Sequence, residues 1–118
     1  MKKLISIVIP CYRSETMIAG VVGDIDREMK QLEEAYRYEI ILVNDSSPDG
    51  TFEAIRRLCQ EKPYITGVNL ARNFGQHAAL MAGFRQMKGD YLVCMDDDGQ
   101  TPASSIGDLI RGLEEGRD

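Results

Sequence analysis

Leu4-Ile5-Ser6-Ile7-Val8-Ile9-Pro10-Cys11-Tyr12 is the stretch that decides how the rest of this chain reads. Its first six residues are apolar apart from Ser6, and they lack the strict alternation of a strand with one wet face. Such a run is expected of a strand covered on both faces, as in a parallel sheet. Pro10 is expected to end it. After Ser14, the positions Ile18, Val21, Val22, Ile25, Met29, Leu32 and Tyr36 recur at helical spacing, which predicts an amphipathic helix of roughly 18 to 20 residues. Residues 39–43 form a second apolar run, closed by the turn formers Asn44-Asp45-Ser46-Ser47-Pro48-Asp49-Gly50.

The same alternation continues to the end of the chain. A short helix over residues 51–60 turns Phe52, Ile55, Leu58 and Cys59 inward, and residues 65–70 read as a third strand. The helix predicted over 76–87 carries Ala78, Ala79, Ala82 and Gly83, small enough for close approach to a neighbour. Residues 91–95 are the fourth strand. Thr101 is expected to cap the last helix, with Pro102 at its first position and Ile106, Leu109, Ile110 and Leu113 as its buried stripe. Met17, Met29, Met81 and Met87 are read as core. Strands alternating with helices imply an α/β fold, a parallel sheet with right-handed crossovers and helices on both faces. Ligands of such sheets bind beyond the carboxyl ends of the strands, where strand order reverses. Four polar clusters fall there: 10–12, 44–46, 72–73 and 96–100.

Composition narrows the partners. At 118 residues the chain is at most one domain, and 43% hydrophobic with 28% charged residues excludes disorder. A formal charge of -5 argues against nucleic acid, whose backbone calls for clustered Lys and Arg. Cys11, Cys59 and Cys94 lie in apolar segments without a CxxC pair, so a reducing, cytosolic setting is expected. Lys2-Lys3 and the run after them imitate a signal peptide, but the run is short and meets Pro10, Tyr12 and Arg13 instead of a cleavage site. No stretch approaches the ~20 apolar residues of a membrane span.

The chemistry concentrates in Asp96-Asp97-Asp98. Adjacent carboxylates repel, and a divalent cation relieves the repulsion. In an extended segment Asp96 and Asp98 point one way and Asp97 the other, so the first and third can share a Mg2+ or Mn2+ ion. Neither a P-loop nor a Gly-x-Gly-x-x-Gly after the first strand is present, so phosphates are expected to be held through metal. Asp45, at a strand end, suits a base edge, Tyr12 suits stacking, and Arg72 suits base or phosphate. His77, the single histidine, has no evident Asp or Ser partner in sequence and is read as structural.

Residues 6–12, 41–51, 69–77 and 89–98 together resemble family 2 glycosyltransferases of GT-A fold, a Rossmann-like, mainly parallel sheet. Within that family, Asn-Phe-Gly-Gln-His-Ala-Ala-Leu-Met-Ala-Gly-Phe at 73–84 is similar to the polyprenyl-phosphate glycosyltransferases, relatives of dolichyl-phosphate mannose synthase. The resemblance implies that Pro10 and Tyr12 line a nucleotide pocket, that Val43 and Asp45 hold the base, and that Arg72 assists. It implies Asp96 and Asp98 as metal ligands, with the Asp97 backbone and Gln100 completing the nucleotide-diphosphate site. The donor implied is a nucleotide-diphospho-sugar, UDP-linked before GDP-linked, and the acceptor polyprenyl phosphate at the cytoplasmic membrane face. Three departures stand out: Ser14 where the family often has Glu, with Glu15 one later; Asn44 where Asp is usual; and Gly99 where a hydrophobic residue is usual.

Family domains are roughly twice this length, so residues 1–118 are expected to be a truncated, donor-binding N-terminal half, with the catalytic base beyond Asp118. A half-domain that only binds nucleotide, or self-associates as a homodimer through a bare sheet edge, is the non-enzymatic alternative. A haloacid dehalogenase-like phosphatase is the other, since Asp96 to Gln100 mimics its Asp-x-Asp-Gly-Thr/Val motif. That nucleophile, however, ends the first strand, and here the motif ends the fourth.

Overall fold

The opening apolar run becomes β1 (Lys3–Cys11), an interior strand flanked by β2 (Tyr36–Asn44) and β4 (Tyr91–Cys94). A computed structural model describes residues 2–72, 75–100 and 102–115. β3 (Ile65–Asn69) pairs outside β2, giving the order β3-β2-β1-β4, and every pairing is parallel. Ile5, Ile7, Ile9 and Cys11 on one face of β1 join Ile40 and Leu42 in the larger core cluster. Against this face pack α1 (Ile18–Gln31), α2 (Thr51–Glu61) and α4 (Ser105–Glu114). Val8, Ile41 and Val43 point to the other face, where Ala79 of α3 (Gln76–Phe84) meets them. Full burial of each of these aliphatic side chains contributes roughly 1.5–3 kcal/mol.

Handedness explains why α3 changes face. From β1 to β3 the chain steps one way across the sheet, and from β3 to β4 it steps back past β1. A right-handed crossover in the reverse direction must lie on the opposite side. The strands that part company at this reversal are β1 and β4, and the gap between their carboxyl ends is where a ligand fits.

Pro10 does not end β1; the strand continues to Cys11, paired with Asn44. In a parallel strand each residue's N–H and C=O face one neighbour. Val8 O accepts Met95 N–H at 3.1 Å, so the even residues of β1 face β4, and Pro10 lies past the point where β4 turns away. Its missing N–H therefore costs no ladder bond. α1 is shorter than its spacing predicts, because Lys3 pairs with Tyr36 and draws residues 36–38 into β2. The helix at 76–87 stops at Phe84 and the last helix starts at Ser105, with Pro102 in the preceding turn. Thr101 lies outside the described residues. Leu109, Met17 and Met81 are exposed, not core, whereas Met29 is buried.

Candidate functional site

A cleft of about 420 Å3 opens at the carboxyl ends of β1 and β4, lined by Pro10, Cys11, Tyr12, Asp45, Gly75, Gln76, Asp96, Asp97, Asp98 and Gln100. A larger hollow of about 680 Å3 runs along β4 and α4, but it is walled by Leu92, Leu109 and Leu113, and its charged residues Asp108 and Arg111 pair with each other. Size therefore does not mark the site; convergent polar groups do. Cys11 and Asn44 are register partners, and Asp45 N–H donates to Cys11 O at 3.0 Å, so the ends of β1 and β2 are locked side by side. Asp45 is buried beside the floor of the cleft, while the Tyr12 ring is 42% exposed at its rim. The Arg13 guanidinium lies 5.6 Å from that ring.

The acid triplet is arranged differently from an extended strand. Asp96 follows the strand, but Asp97 and Asp98 enter a turn. Asp98 Oδ1 accepts from Gln100 N–H at 3.0 Å, and Gly99 sits at φ +77°. That left-handed value accounts for glycine here, because a side chain at Gly99 would be strained. Asp97, expected to serve through its backbone, uses its carboxylate: Tyr12 N–H donates to Asp97 Oδ2 at 2.9 Å. The carboxylate thus takes over, for the first residue beyond β1, the place of a neighbouring strand. No sequence signal announces a bond between residues so far apart.

Val43 and Arg72 are not in the lining. The Val43 side chain is buried against α3 with Val8 and Ala79, and Arg72 is exposed in the bend after β3. Gly75 and Gln76, which sequence reasoning did not single out as site residues, are there because α3 begins at the cleft, with Gly75 at φ +93°. Backbone N–H groups at a helix start favour negative charge nearby. Glu15 does not reach the cleft; its carboxylate lies over Gly50, before α2. Asn44 does structural work: its Nδ2 donates to Asn69 Oδ1 at 2.8 Å and its Oδ1 accepts from Ser47 N–H at 3.2 Å. His77 is exposed near the start of α3, so it is not a packing residue.

The Cys11 thiol is unsuited to nucleophilic chemistry. Burial, reinforced by the negative charge of Asp97, pushes its pKa up to about 12. Among the described residues no three His, Cys, Asp or Glu side chains converge as a ready-made metal cage. The donors available are carboxylates of Asp96 and Asp98 and the Gln100 amide, all hard oxygen ligands suited to Mg2+ or Mn2+.

The sequence model of the family described as Glycosyl transferase family 2 matches residues 6–118. An undecaprenyl-phosphate 4-deoxy-4-formamido-L-arabinose transferase of Aeromonas hydrophila is 40% identical over 117 residues, 98% of this chain and 35% of that protein. The chain thus spans about a third of the length of such curated relatives. Among solved structures, a mannosyltransferase from Pyrobaculum calidifontis in complex with GDP-Man and Mn2+ superposes with a TM-score of 0.80, at 24% identity, over 96% of this chain and 33% of that one. Glucosyl-3-phosphoglycerate synthase from Mycobacterium tuberculosis, in complex with Mn2+, UDP and phosphoglyceric acid, gives 0.70 at 23% identity, over 94% of this chain and 39% of that one. At these identities the likeness establishes the GT-A fold.

Proposed function

The chain belongs to glycosyl transferase family 2, and on that premise we propose that its strand-end cleft binds a nucleotide-diphospho-sugar for transfer to polyprenyl phosphate. The observation that carries this reading is the meeting of Tyr12, Asp45, Asp96 and Asp98 in one cleft at the strand-order reversal. Tyr12 offers an exposed ring for a base to stack on, and Asp45 offers a carboxylate to accept from a base edge such as uracil N3–H or guanine N1–H. Asp96, Asp98 and Gln100 would hold a Mg2+ or Mn2+ ion, which would neutralise diphosphate charge and assist departure of the nucleoside diphosphate. The Asp97 backbone and the start of α3 supply further dipoles toward the phosphates.

Residues 1–118 are on this reading the donor-binding half, with inversion at the sugar carbon depending on a base outside the described residues. The acceptor is inferred from the undecaprenyl-phosphate relatives, and the reaction is proposed to run at the cytoplasmic membrane face. No described helix is long and apolar enough to cross a membrane. Calorimetric titration of UDP and GDP with and without Mn2+ tests the proposal: UDP binds only with the metal, and the double variant Asp96→Asn, Asp98→Asn loses that metal-dependent binding. Unchanged UDP affinity in the double variant contradicts it.

A second reading, self-association, is favoured by the apolar hollow along β4, where Leu109 is 46% exposed and the outer edge of β4 has no strand partner among the described residues. Sedimentation velocity tests it. A monomer at hundreds of micromolar excludes it.

A further inference from the structure

Three consecutive backbone N–H groups follow β1, and each is held by a side chain from another segment: the turn after β4, the loop after β2 and the first residue of α2. Tyr12 N–H donates to Asp97 Oδ2, Arg13 N–H to Ser47 Oγ at 2.9 Å, and Ser14 N–H to Thr51 Oγ1 at 2.9 Å. The last two acceptors are hydroxyls that themselves donate, and both donate to the same atom. Ser47 Oγ–H and Thr51 Oγ1–H each reach Asp49 Oδ1 at 2.5 Å, and Thr51 N–H reaches it at 3.1 Å. One carboxylate oxygen thus orients two hydroxyls so that their lone pairs face the loop of residues 12–14. Hydrogen bonds in such a chain polarise and strengthen one another.

The loops so tied are the two that hold non-glycine residues in the left-handed region. Arg13 has φ +52° and Ser46 φ +55°, and these are the described non-glycine residues with positive φ. Each directly follows a cleft residue: Arg13 follows Tyr12, and Ser46 follows Asp45. Left-handed backbone at an ordinary residue persists only where surrounding contacts over-determine it. The Asp49 relay supplies those contacts for Arg13, and the Asn44 Oδ1 bond to Ser47 N–H helps fix the turn at Ser46.

We propose that Asp49 is a positioning residue for the base end of the cleft, acting through Ser47 and Thr51 to preset the loop that presents Tyr12. The proposal rests on the reading of the cleft as a nucleotide-diphosphate site. Asp49 does not line the cleft, so its effect reaches a ligand only through the loop. The diphosphate end is built on Asp96 and Asp98 after β4, whereas the hydrogen bonds of the relay join residues 13, 14, 47, 49 and 51. Loss of Asp49 therefore weakens recognition of the nucleoside and spares recognition of the diphosphate.

The test compares Mn2+-dependent binding of UDP, GDP and inorganic pyrophosphate by calorimetry in the wild type, Asp49→Ala and Asp49→Asn. The expected result is a loss of about tenfold in affinity for the nucleotide that the wild type binds, with pyrophosphate unchanged within about twofold, where tenfold corresponds to about 1.4 kcal/mol. Asp49→Asn keeps the Oδ1 acceptor and restores most of the affinity. Nucleotide binding unchanged in Asp49→Ala, or nucleotide and pyrophosphate weakened in parallel, overturns the proposal. If Asp49→Ala does not fold, Ser47→Ala, which removes the tie to Arg13 and its bond to Asp49 but leaves the Thr51 branch in place, is judged by the same criteria. A wild type that binds pyrophosphate but neither nucleotide overturns the underlying reading of the cleft, and so is distinct from a failure of the relay.

Discussion

Gly89→Ala is expected to be among the most damaging single-methyl additions in this chain. Gly89 precedes β4 and sits against β1, where a Cβ would stand 2.7 Å from Leu4 O and 2.8 Å from Ser6 N, besides colliding with Ser6 Oγ. Ordinary contact begins near 3.4 Å, and two of these atoms are backbone of an interior strand that cannot rotate away. The segment before β4 must therefore retreat. Retreat stretches Gly89 N–H to Ser6 Oγ at 2.8 Å, Asp90 N–H to Leu4 O at 2.7 Å and Lys88 N–H to Glu39 Oε2 at 2.7 Å. Overpacking of this kind costs about 1–3 kcal/mol and the weakened hydrogen bonds about 1 more, so a loss near 3 kcal/mol is expected. For a chain of this size that lowers Tm by about 10 °C. Urea unfolding followed by circular dichroism measures it, with Gly20→Ala as control, since a Cβ at that helical position meets nothing within 4 Å. The control is expected to gain about 0.5–1 kcal/mol from helix propensity. A Gly89→Ala variant within 0.5 kcal/mol of wild type would refute the close-approach argument.

Two further predictions test the sheet and its faces. Asp26 accepts from Lys62 Nζ at 2.5 Å, Tyr38 Oη at 2.6 Å and Tyr64 Oη at 2.7 Å. Burial acts to raise its pKa, but the bonds from Lys62, Tyr38 and Tyr64 outweigh burial and hold the carboxyl below its ordinary value. The stabilisation is then complete above the ordinary aspartate pKa of about 4 and is lost as pH falls from there through the depressed value. Asp26→Asn should cost about 1–2 kcal/mol at pH 7, and the gap to wild type should close on acidification; a constant gap contradicts the assignment. Gly83→Ala places a methyl against Val8 Cγ1 and 3.2 Å from Val43 Cγ2, so α3 must lift off the sheet. A net loss of about 1–2 kcal/mol after the helix-propensity gain is expected by denaturant titration, and none at all would mean that α3 is not seated as described.

The buried strands were the most legible part of the fold, because Ile5 to Ile9 and Ile40 to Val43 are covered on both faces and their composition says so. Boundaries were less legible where two periodicities overlap. Leu32 and Tyr36 extend the helical spacing of the first helix, yet pairing of Lys3 with Tyr36 claims the latter for the sheet. At Pro10 the local rule was right about the missing donor and wrong about its consequence, since only the neighbouring strand's departure makes that donor unnecessary. Leu109 completes an apolar stripe in sequence but projects beside the β4 edge, where no described strand covers it.

The site was legible as a set of polar clusters at strand ends, and the fold gathers Pro10, Tyr12, Asp45, Asp96, Asp97, Asp98 and Gln100 into one cleft. The hidden part is the wiring between clusters. Asp97 to Tyr12, Ser47 to Arg13 and Thr51 to Ser14 join residues from 34 to 85 positions apart. Spacing rules report on neighbours along one element, and these bonds depend on which strands end side by side.

The central claim is that Asp96 and Asp98 hold a divalent ion against a nucleoside diphosphate whose base lies at Tyr12. Anomalous scattering from crystals grown with UDP and Mn2+ tests it most directly. The account predicts a manganese peak within coordination distance of Asp96, Asp98 and a diphosphate oxygen, with the uracil against the Tyr12 ring. Manganese placed away from both carboxylates, or UDP bound elsewhere on the chain, would contradict it.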